Sequence, residues 1–286
     1  MIELLDYVLD YNDNFWIVGC IDNEIKGYIV YKVDANGDRY NKITKKYYIK
    51  SKCNSFEKIP TYKRVFKPNI FYIENKSNIE GVWKKYIEIL NDIGIKDKDI
   101  GIFGSYMIGF EVIKDIDFVI YGFNNLKKYY NNLNKILKYT NSTNINKEHI
   151  IYQFNKHKVD YSLNTDLLEI ISRNWSGIQV NEKVLSTPRF IDKNNQHIPV
   201  DNGERKVVIF KVIDGFKSTM LPRTSRVLYN GEVYTVISAL WKYQSFLRKG
   251  DVIECLGSVN EDLKTITLYD YKCYVKYLEK GKNILW

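Results

Sequence analysis

The sequence predicts an α+β protein with a central α/β core, a β-rich N-terminal segment and a small C-terminal all-β domain. Helical spacing alternates with short apolar runs in the middle of the chain, and β-branched or aromatic runs separated by turn residues fill the last third. With 286 residues, 45% of them hydrophobic, the chain is long enough for more than one core. We place the divisions at 1–75, 76–184 and 185–286.

The first elements are a β-hairpin and an amphipathic helix. The runs FWIVGCI and IKGYIVYKV flank a polar Asp-Asn-Glu turn, which is typical of two paired strands. Further on, Ser77 and Glu80 have the spacing of a capping box. Apolar residues then recur at helical spacing until Gly94, so we expect a helix that starts after Ser77 and ends there.

The central core continues with short strands around a polar helix. The runs 100–103 and 118–121 are apolar and short, as buried strands are, and each ends at a glycine. Leucines and tyrosines between Leu126 and Leu137 have helical spacing, and 158–163 returns to a strand pattern.

The C-terminal third predicts a small closed barrel. Short β-rich runs occupy 206–213, 225–237, 251–259 and 265–278. Asn230-Gly231 is a strong hairpin signal, because both central positions of a type I′ turn need positive φ. About five short strands suit a barrel of OB type, and a β-sandwich stays open as the alternative.

Positive charge is concentrated in one segment of the N-terminal region. The whole chain carries +9, and between Arg39 and Pro68 ten basic residues stand against a single acid, interleaved with tyrosines and phenylalanines. Basic side chains that contact the phosphates, next to aromatic rings that stack on the nucleobases, bind single-stranded nucleic acid. An ordinary solvated ribbon with its rings in the core is the alternative. The predicted nucleic-acid contacts are Arg39, Lys45, Lys46, Lys63 and Arg64.

A Gly-Ser turn and an acidic pair carry the candidate chemistry. Gly104-Ser105 follows the first central strand, and Asp115 and Asp117 stand two apart at the start of the second. A period of two sends both carboxylates to one face, where they repel unless a cation lies between them, and a hard divalent cation suits such oxygen ligands. Turn-capping acids beside a plain loop are the alternative.

This arrangement resembles the nucleotidyltransferase superfamily that includes DNA polymerase β, whose signature is a Gly-Ser turn followed by Asp-x-Asp on the next strand. Asp160, within Val159-Asp160-Tyr161, matches the third carboxylate of that family. Over its whole length the chain is also similar to sparsely characterised, largely archaeal two-domain nucleotidyltransferase-like proteins.

The resemblance implies a metal-dependent transfer of a nucleoside monophosphate from an NTP, such as ATP, to a hydroxyl acceptor. Asp115, Asp117 and Asp160 would hold Mg²⁺ or Mn²⁺, and Gly104 and Ser105 would bind the β- and γ-phosphates. We expect a nucleic acid acceptor, with RNA favoured. The alternatives are nucleotidylation of a protein or a small molecule, and a catalytically inactive nucleic-acid-binding protein.

The remaining composition indicates a cytoplasmic protein. The four cysteines are scattered without C-x-x-C pairs, the three histidines lack metal-ligand spacing, and the first residues are acidic and contain no signal peptide pattern. We therefore expect no membrane association and no obligate protein partner.

Overall fold

The structure, a computed structural model, describes residues 2–21, 23–51, 56–113, 115–140, 143–144, 151–152, 154–155, 165–174, 178–180, 183–185, 188–194, 203–238, 246–268 and 273–281. The chain forms two compact units, unit 1 from Met1–Asn144 with Gly177–Gln196 and unit 2 from Ile145–Ser176 with His197–Trp286. The α+β class is confirmed. The three-part division stays a prediction, and its boundary after residue 75 falls within unit 1.

Unit 1 begins with an antiparallel N-terminal sheet in the order β4-β5-β3-β2-β1-β7, with β6 paired to β3. The predicted hairpin is confirmed, because the second and third strands pair antiparallel. The strands are β1 (Tyr7–Asp10), β2 (Phe15–Ile21), β3 (Ile25–Val33), β4 (Arg39–Asn41), β5 (Lys46–Lys50), β6 (Glu57–Lys58) and β7 (Tyr62–Phe66).

A second, smaller sheet forms the other half of unit 1. Its central strand pairs antiparallel with one neighbour and parallel with the other, giving the order β8-β9-β13. The elements after the N-terminal sheet are α1 (Pro68–Asn75), α2 (Gly81–Asp92), β8 (Ile100–Phe103), β9 (Asp117–Tyr121), α3 (Phe123–Asn131), α4 (Leu133–Tyr139), β10 (Thr143–Asn144), β11 (Ile178–Val180), β12 (Lys183–Leu185) and β13 (Arg189–Ile191). Strands β10, β11 and β12 form a separate antiparallel sheet.

Helices cover both faces of the β8-β9-β13 sheet. On one face, the ring of Phe118 in β9 packs 5.1 Å from the ring of Tyr86 in α2, between centroids. On the other face, a Cβ on Gly101 would lie 2.9 Å from the Cβ of Pro68, so α1 approaches the backbone of β8 closely. Gly101 is paired with Val119, and residues paired across a sheet share a face. The α1 face is therefore also the face of Asp117, two residues before Val119.

Two helix predictions are wrong in detail. The capping box does not form: Ser77 lies in a 3-10 turn that follows α1, and Ile79 is buried in extended conformation, so α2 begins only at Gly81. The single helix expected from Leu126 to Leu137 is two helices, because the backbone leaves helical geometry at Asn132. The predicted end at Gly94 is confirmed, with a positive φ of 83° after α2.

Unit 2 contains the predicted small β-barrel. Five strands close a ring in the order β14-β16-β17-β19-β18-β14, with a parallel pair between β17 and β19, and β20 extends β18. The hairpin at Asn230-Gly231 is confirmed by φ values of 49° and 80°. The elements are α5 (Leu167–Asn174), β14 (Glu204–Asp214), β15 (Met220–Leu221), β16 (Arg223–Tyr229), β17 (Glu232–Ser238), β18 (Val252–Asn260), β19 (Thr265–Leu268) and β20 (Val275–Glu279).

A buried ion pair attaches α5 to the barrel. The guanidinium of Arg173 donates two hydrogen bonds to Asp251, at 2.5 and 3.2 Å, and a third to Glu169 at 2.7 Å. It also stacks on the ring of Tyr277, 4.2 Å from the centroid. Asp251 accepts further bonds from the backbone N–H groups of Arg248 and Gly281, so both buried charges are well compensated.

In the part of the chain that the structure describes, no helix is long and apolar enough to cross a membrane.

Asp6 in unit 1 makes stability depend on pH. Its side chain is buried, and this burial raises its pKa from 3.8 to about 6, although the backbone N–H of Glu3 and the ammonium of Lys67 oppose the shift. Because the folded state then binds more protons than the unfolded state between about pH 4 and 6, stability falls as the pH rises through that window. The shift corresponds to about 3 kcal/mol.

We therefore expect Asp6→Asn to gain stability relative to the wild type as the pH rises from 4 to 7. Urea unfolding at several pH values measures the difference. The control is Asp13→Asn, since hydrogen bonds from Lys46 and Lys63 outweigh burial and lower the pKa of Asp13. That variant should lose relative stability as the pH rises, and equal slopes for the two variants would contradict the assignment.

Candidate active site

The Gly-Ser turn is a tight loop held by its own backbone. Gly104 follows β8 with a φ of 81°, which is the left-handed region that favours glycine. The N–H of Phe110 donates to the carbonyl of Ser105 at 3.1 Å, and the N–H of Gly109 donates to that of Tyr106 at 3.2 Å. These hydrogen bonds fix the conformation of the turn, in which Ser105 is half-buried.

The carboxylate of Asp117 lies directly against Gly104. Pairing of β8 with β9 places Phe103 opposite Asp117, so the next residue, Gly104, stands beside the acid. A Cβ built on Gly104 would be 2.6 Å from Oδ2 of Asp117, closer than real Cβ atoms come to any atom. The absence of a side chain at Gly104 is therefore what admits the carboxylate.

Asp115, the other acid of the predicted pair, is not part of the strand whose period of two was expected to align the two carboxylates. It precedes β9 and is exposed, and within the described residues its carboxylate makes no hydrogen bond or ion pair. Burial raises the pKa of Tyr31, Arg39 lowers it, and both Asp117 and Asp115 raise it. One buried hydroxyl in β3 thus experiences both carboxylates, as expected if they face the N-terminal sheet together.

Asp160, the predicted third carboxylate, lies outside the described residues. Among those that are described, no three His, Cys, Asp or Glu side chains form a group that could hold a metal ion. Asp115 and Asp117 supply two carboxylates, and such hard oxygen donors suit Mg²⁺ or Mn²⁺. The chemistry of this pair therefore suits the predicted metal.

The basic ribbon, formed by β4 and β5, is attached to the Gly-Ser turn. Asn41 is fully buried, and its side-chain amide donates to the carbonyl of Ile108 at 2.7 Å. The N–H of Lys42 donates to the carbonyl of Gly109 at 2.9 Å, and the N–H of Glu111 donates to that of Tyr40 at 3.0 Å. These bonds place the positive segment beside the acidic pair, although more than sixty positions separate Asn41 from Ile108 in sequence.

Aromatic packing strengthens this attachment. Phe110, at the end of the turn, inserts among rings of the N-terminal sheet, with centroids 4.5 Å from Tyr31, 5.5 Å from Tyr48 and 6.0 Å from Phe15. Phe110 is almost completely buried, and burial of one such side chain contributes about 1.5–3 kcal/mol. The turn is therefore part of the core of unit 1.

The five predicted nucleic-acid contacts lie in different surroundings in the structure. Arg39 lies over the ring of Tyr31, 5.6 Å from the centroid, and is the member near the acidic pair. Lys46 and Lys63 both pair with Asp13, and Arg64 stacks on Phe66 at 4.6 Å.

The fifth contact, Lys45, is exposed in the turn between β4 and β5, with a φ of 57°. The interleaved rings divide between the core and the surface. Tyr48 and Phe66 are buried in the core, whereas Tyr47 and Tyr62 are exposed.

Arg189 lies near the acidic pair, a position that the sequence did not predict for it. Its parallel pairing places it beside Val119, on the face that carries Asp117, and its guanidinium lies 5.1 Å from the ring centroid of Phe103. Burial raises the pKa of Tyr7, as does Asp117, whereas Arg189 lowers it. The short run RFI has no periodicity long enough to predict a parallel partner, so no sequence signal could have placed Arg189 here.

The chain matches no protein-family model, no curated protein and no solved structure.

We expect Gly104→Ala to disturb both the backbone and the position of Asp117. A positive φ costs an alanine about 1–2 kcal/mol, and the new methyl group must displace the Asp117 carboxylate as well. Gly81→Ala is the matched control in the same unit, since Gly81 has a φ of 65° and nothing within 4 Å of its Cβ position. Urea unfolding should show a larger loss for Gly104→Ala, and equal losses would contradict the close contact.

Proposed function

We propose that this chain is a metal-dependent nucleotidyltransferase that moves a nucleoside monophosphate from an NTP to a hydroxyl of a nucleic acid, with RNA the favoured acceptor. The observation that carries the proposal is the contact between Gly104 and the Asp117 carboxylate. It brings together the Gly-Ser turn and the acidic pair, the two parts whose spacing resembles the nucleotidyltransferase superfamily.

Residues of the turn and of the acidic pair have distinct roles in this proposal. The backbone of Gly104 and the hydroxyl of Ser105 bind the β- and γ-phosphates, as a turn without side-chain bulk allows. Asp115 and Asp117 hold Mg²⁺ or Mn²⁺, which when bound supplies positive charge to the phosphoryl oxygens and to the departing pyrophosphate. Asp160 accepts the proton of the attacking hydroxyl.

The reaction forms one bond and breaks another. The acceptor hydroxyl oxygen forms a bond to the α-phosphorus, the bond between that phosphorus and the bridging oxygen of the β-phosphate breaks, and pyrophosphate leaves. The hydroxyl proton passes to Asp160 or to solvent. Negative charge increases on the phosphoryl oxygens during the transfer, which is why a concentration of positive charge beside the site supports the proposal.

Two further features support a nucleic acid as the acceptor. The basic ribbon is hydrogen-bonded to the Gly-Ser turn, and Lys42 and Lys45 are exposed on the same segment. The barrel of unit 2 is closed by five strands, with a parallel pair between the neighbouring strands β17 and β19, an arrangement that we assign to the OB type, a fold that often binds single strands. A fold alone does not identify a ligand, so the ribbon carries more weight.

We expect the protein, with Mg²⁺ and each α-labelled NTP in turn, to transfer label to pooled RNA. Asp115→Asn and Asp117→Asn should each reduce the rate about 100-fold or more, the scale of losing one electrostatic contact to a transition state. Asp262→Asn is the control, because Asp262 is an exposed carboxylate in the turn before β19 of unit 2. The readout is labelled RNA on a denaturing gel.

Other results would overturn parts of the proposal. Transfer of label to protein or to a small molecule, with none to RNA, would show that the acceptor is not RNA. No transfer at all, together with RNA binding that tightens at low salt and is unaffected by the aspartate variants, would leave a nucleic-acid-binding protein without activity.

A further inference from the structure

Two arginines lie near the acidic pair. Arg39 and Arg189 are both half-buried, and within the described residues neither guanidinium has a carboxylate oxygen within 4 Å. Each lies instead over an aromatic ring, Arg39 over Tyr31 and Arg189 over Phe103. Ring contact holds the guanidinium planes in place and leaves their N–H donors unused by carboxylates.

Strand register places Arg189 on the face of the β8-β9-β13 sheet that carries Asp117, and hydrogen bonds place the strand of Arg39 at the Gly-Ser turn. Arg189 is paired with Val119, so it shares a face with Asp117, and its ring partner Phe103 is the residue opposite Asp117. Arg39 is the first residue of β4, and Asn41, two residues later, donates the hydrogen bond to the Gly-Ser turn. Strands from two different sheets thus deliver one positive charge each to the neighbourhood of the turn.

Two tyrosines each lie within electrostatic reach of Asp117 and of one of the arginines. Burial raises the pKa of Tyr31, Arg39 lowers it, and Asp117 and Asp115 raise it. Burial, Tyr31 and Asp117 raise the pKa of Tyr7, and Arg189 lowers it. Each tyrosine therefore connects one arginine with Asp117, so both arginines lie in the electrostatic neighbourhood of that acid.

We propose that Arg39 and Arg189 form an anion site for the triphosphate of the nucleotide, an assignment that rests on the function proposed above. The planar guanidinium matches a phosphate with two parallel hydrogen bonds, and it does so from a position fixed by a ring. A triphosphate bound between the acidic pair and the arginines would contact the positive guanidinium groups on the side that faces away from the acids. Arg39 thereby contacts the nucleotide rather than the acceptor strand.

Tripolyphosphate tests the anion site by itself, because it has no base and no sugar and does not undergo the proposed transfer. Calorimetric titration in the presence of Mg²⁺ should show binding to the wild type, and Arg39→Gln and Arg189→Gln should each weaken it about 10- to 100-fold, the effect of losing one charged hydrogen-bonding group. A non-hydrolysable NTP should show the same losses. Lys127→Gln is the control, because Lys127 lies 4.6 Å from the centroid of Phe123 in the same unit, on α3. It should change affinity less than about twofold.

Arg39→Lys and Arg189→Lys guard against a loss of folding in the glutamine variants. Lysine keeps the charge and loses the planar fork, so these variants should remain folded by circular dichroism and bind tripolyphosphate with intermediate affinity. Unchanged affinity in all four variants, or no binding to the wild type, would overturn the anion site. So would a loss of single-stranded RNA binding in Arg39→Gln with tripolyphosphate affinity retained.

The anion site and the proposed function fail in different ways. Arginine-dependent tripolyphosphate binding without any transfer of label would keep the anion site and reject the transferase. Transfer of label with an unchanged KM for NTP in both glutamine variants would keep the transferase and reject the anion site.

Discussion

The carboxylate of Asp117 lies against the bare Cα of Gly104, and the candidate site depends on this contact. A side chain at Gly104 would have to displace Oδ2 of Asp117, and the φ of 81° would strain its backbone. A glycine there lets the chain turn sharply out of β8 while the first residue of β9 keeps its carboxylate at the turn. The backbone groups of the turn and an acidic side chain are consequently neighbours.

The N-terminal sheet turns this local contact into a site. Asn41 donates to the turn, and Phe110 fills a space among Phe15, Tyr31 and Tyr48, so the turn cannot move without disturbing the core of unit 1. The same packing brings Tyr31 and its stacked Arg39 to the acidic pair. Apolar contacts hold together positive and negative charges that are remote in sequence. Ionic screening by salt does not weaken these contacts, whereas it does weaken the attraction between exposed charges.

Local sequence patterns predicted the elements well where one short-range effect dominates. The strands at 100–103 and 118–121, the helix end at Gly94 and the Asn230-Gly231 hairpin follow from apolar runs and from glycine conformation. The predictions failed where tertiary packing overrode a local signal. Burial of Ile79 in extended conformation cancelled the capping box at Ser77, and Asn132 interrupted a helix whose apolar spacing was continuous.

The sequence by itself determined the glycine turn, because its geometry follows from the left-handed conformation that glycine tolerates, and it placed two acids two positions apart at the approach to β9. It also determined where positive charge is concentrated. Only the tertiary structure decided which of those charges face the acids. Arg39 is brought there by the packing of β4 on the turn, Lys46 and Lys63 are directed to Asp13 instead, and Arg189 arrives through a parallel pairing between strands far apart in the chain. Such pairings are selected by the burial of whole sheet faces, a property that no local run of residues contains.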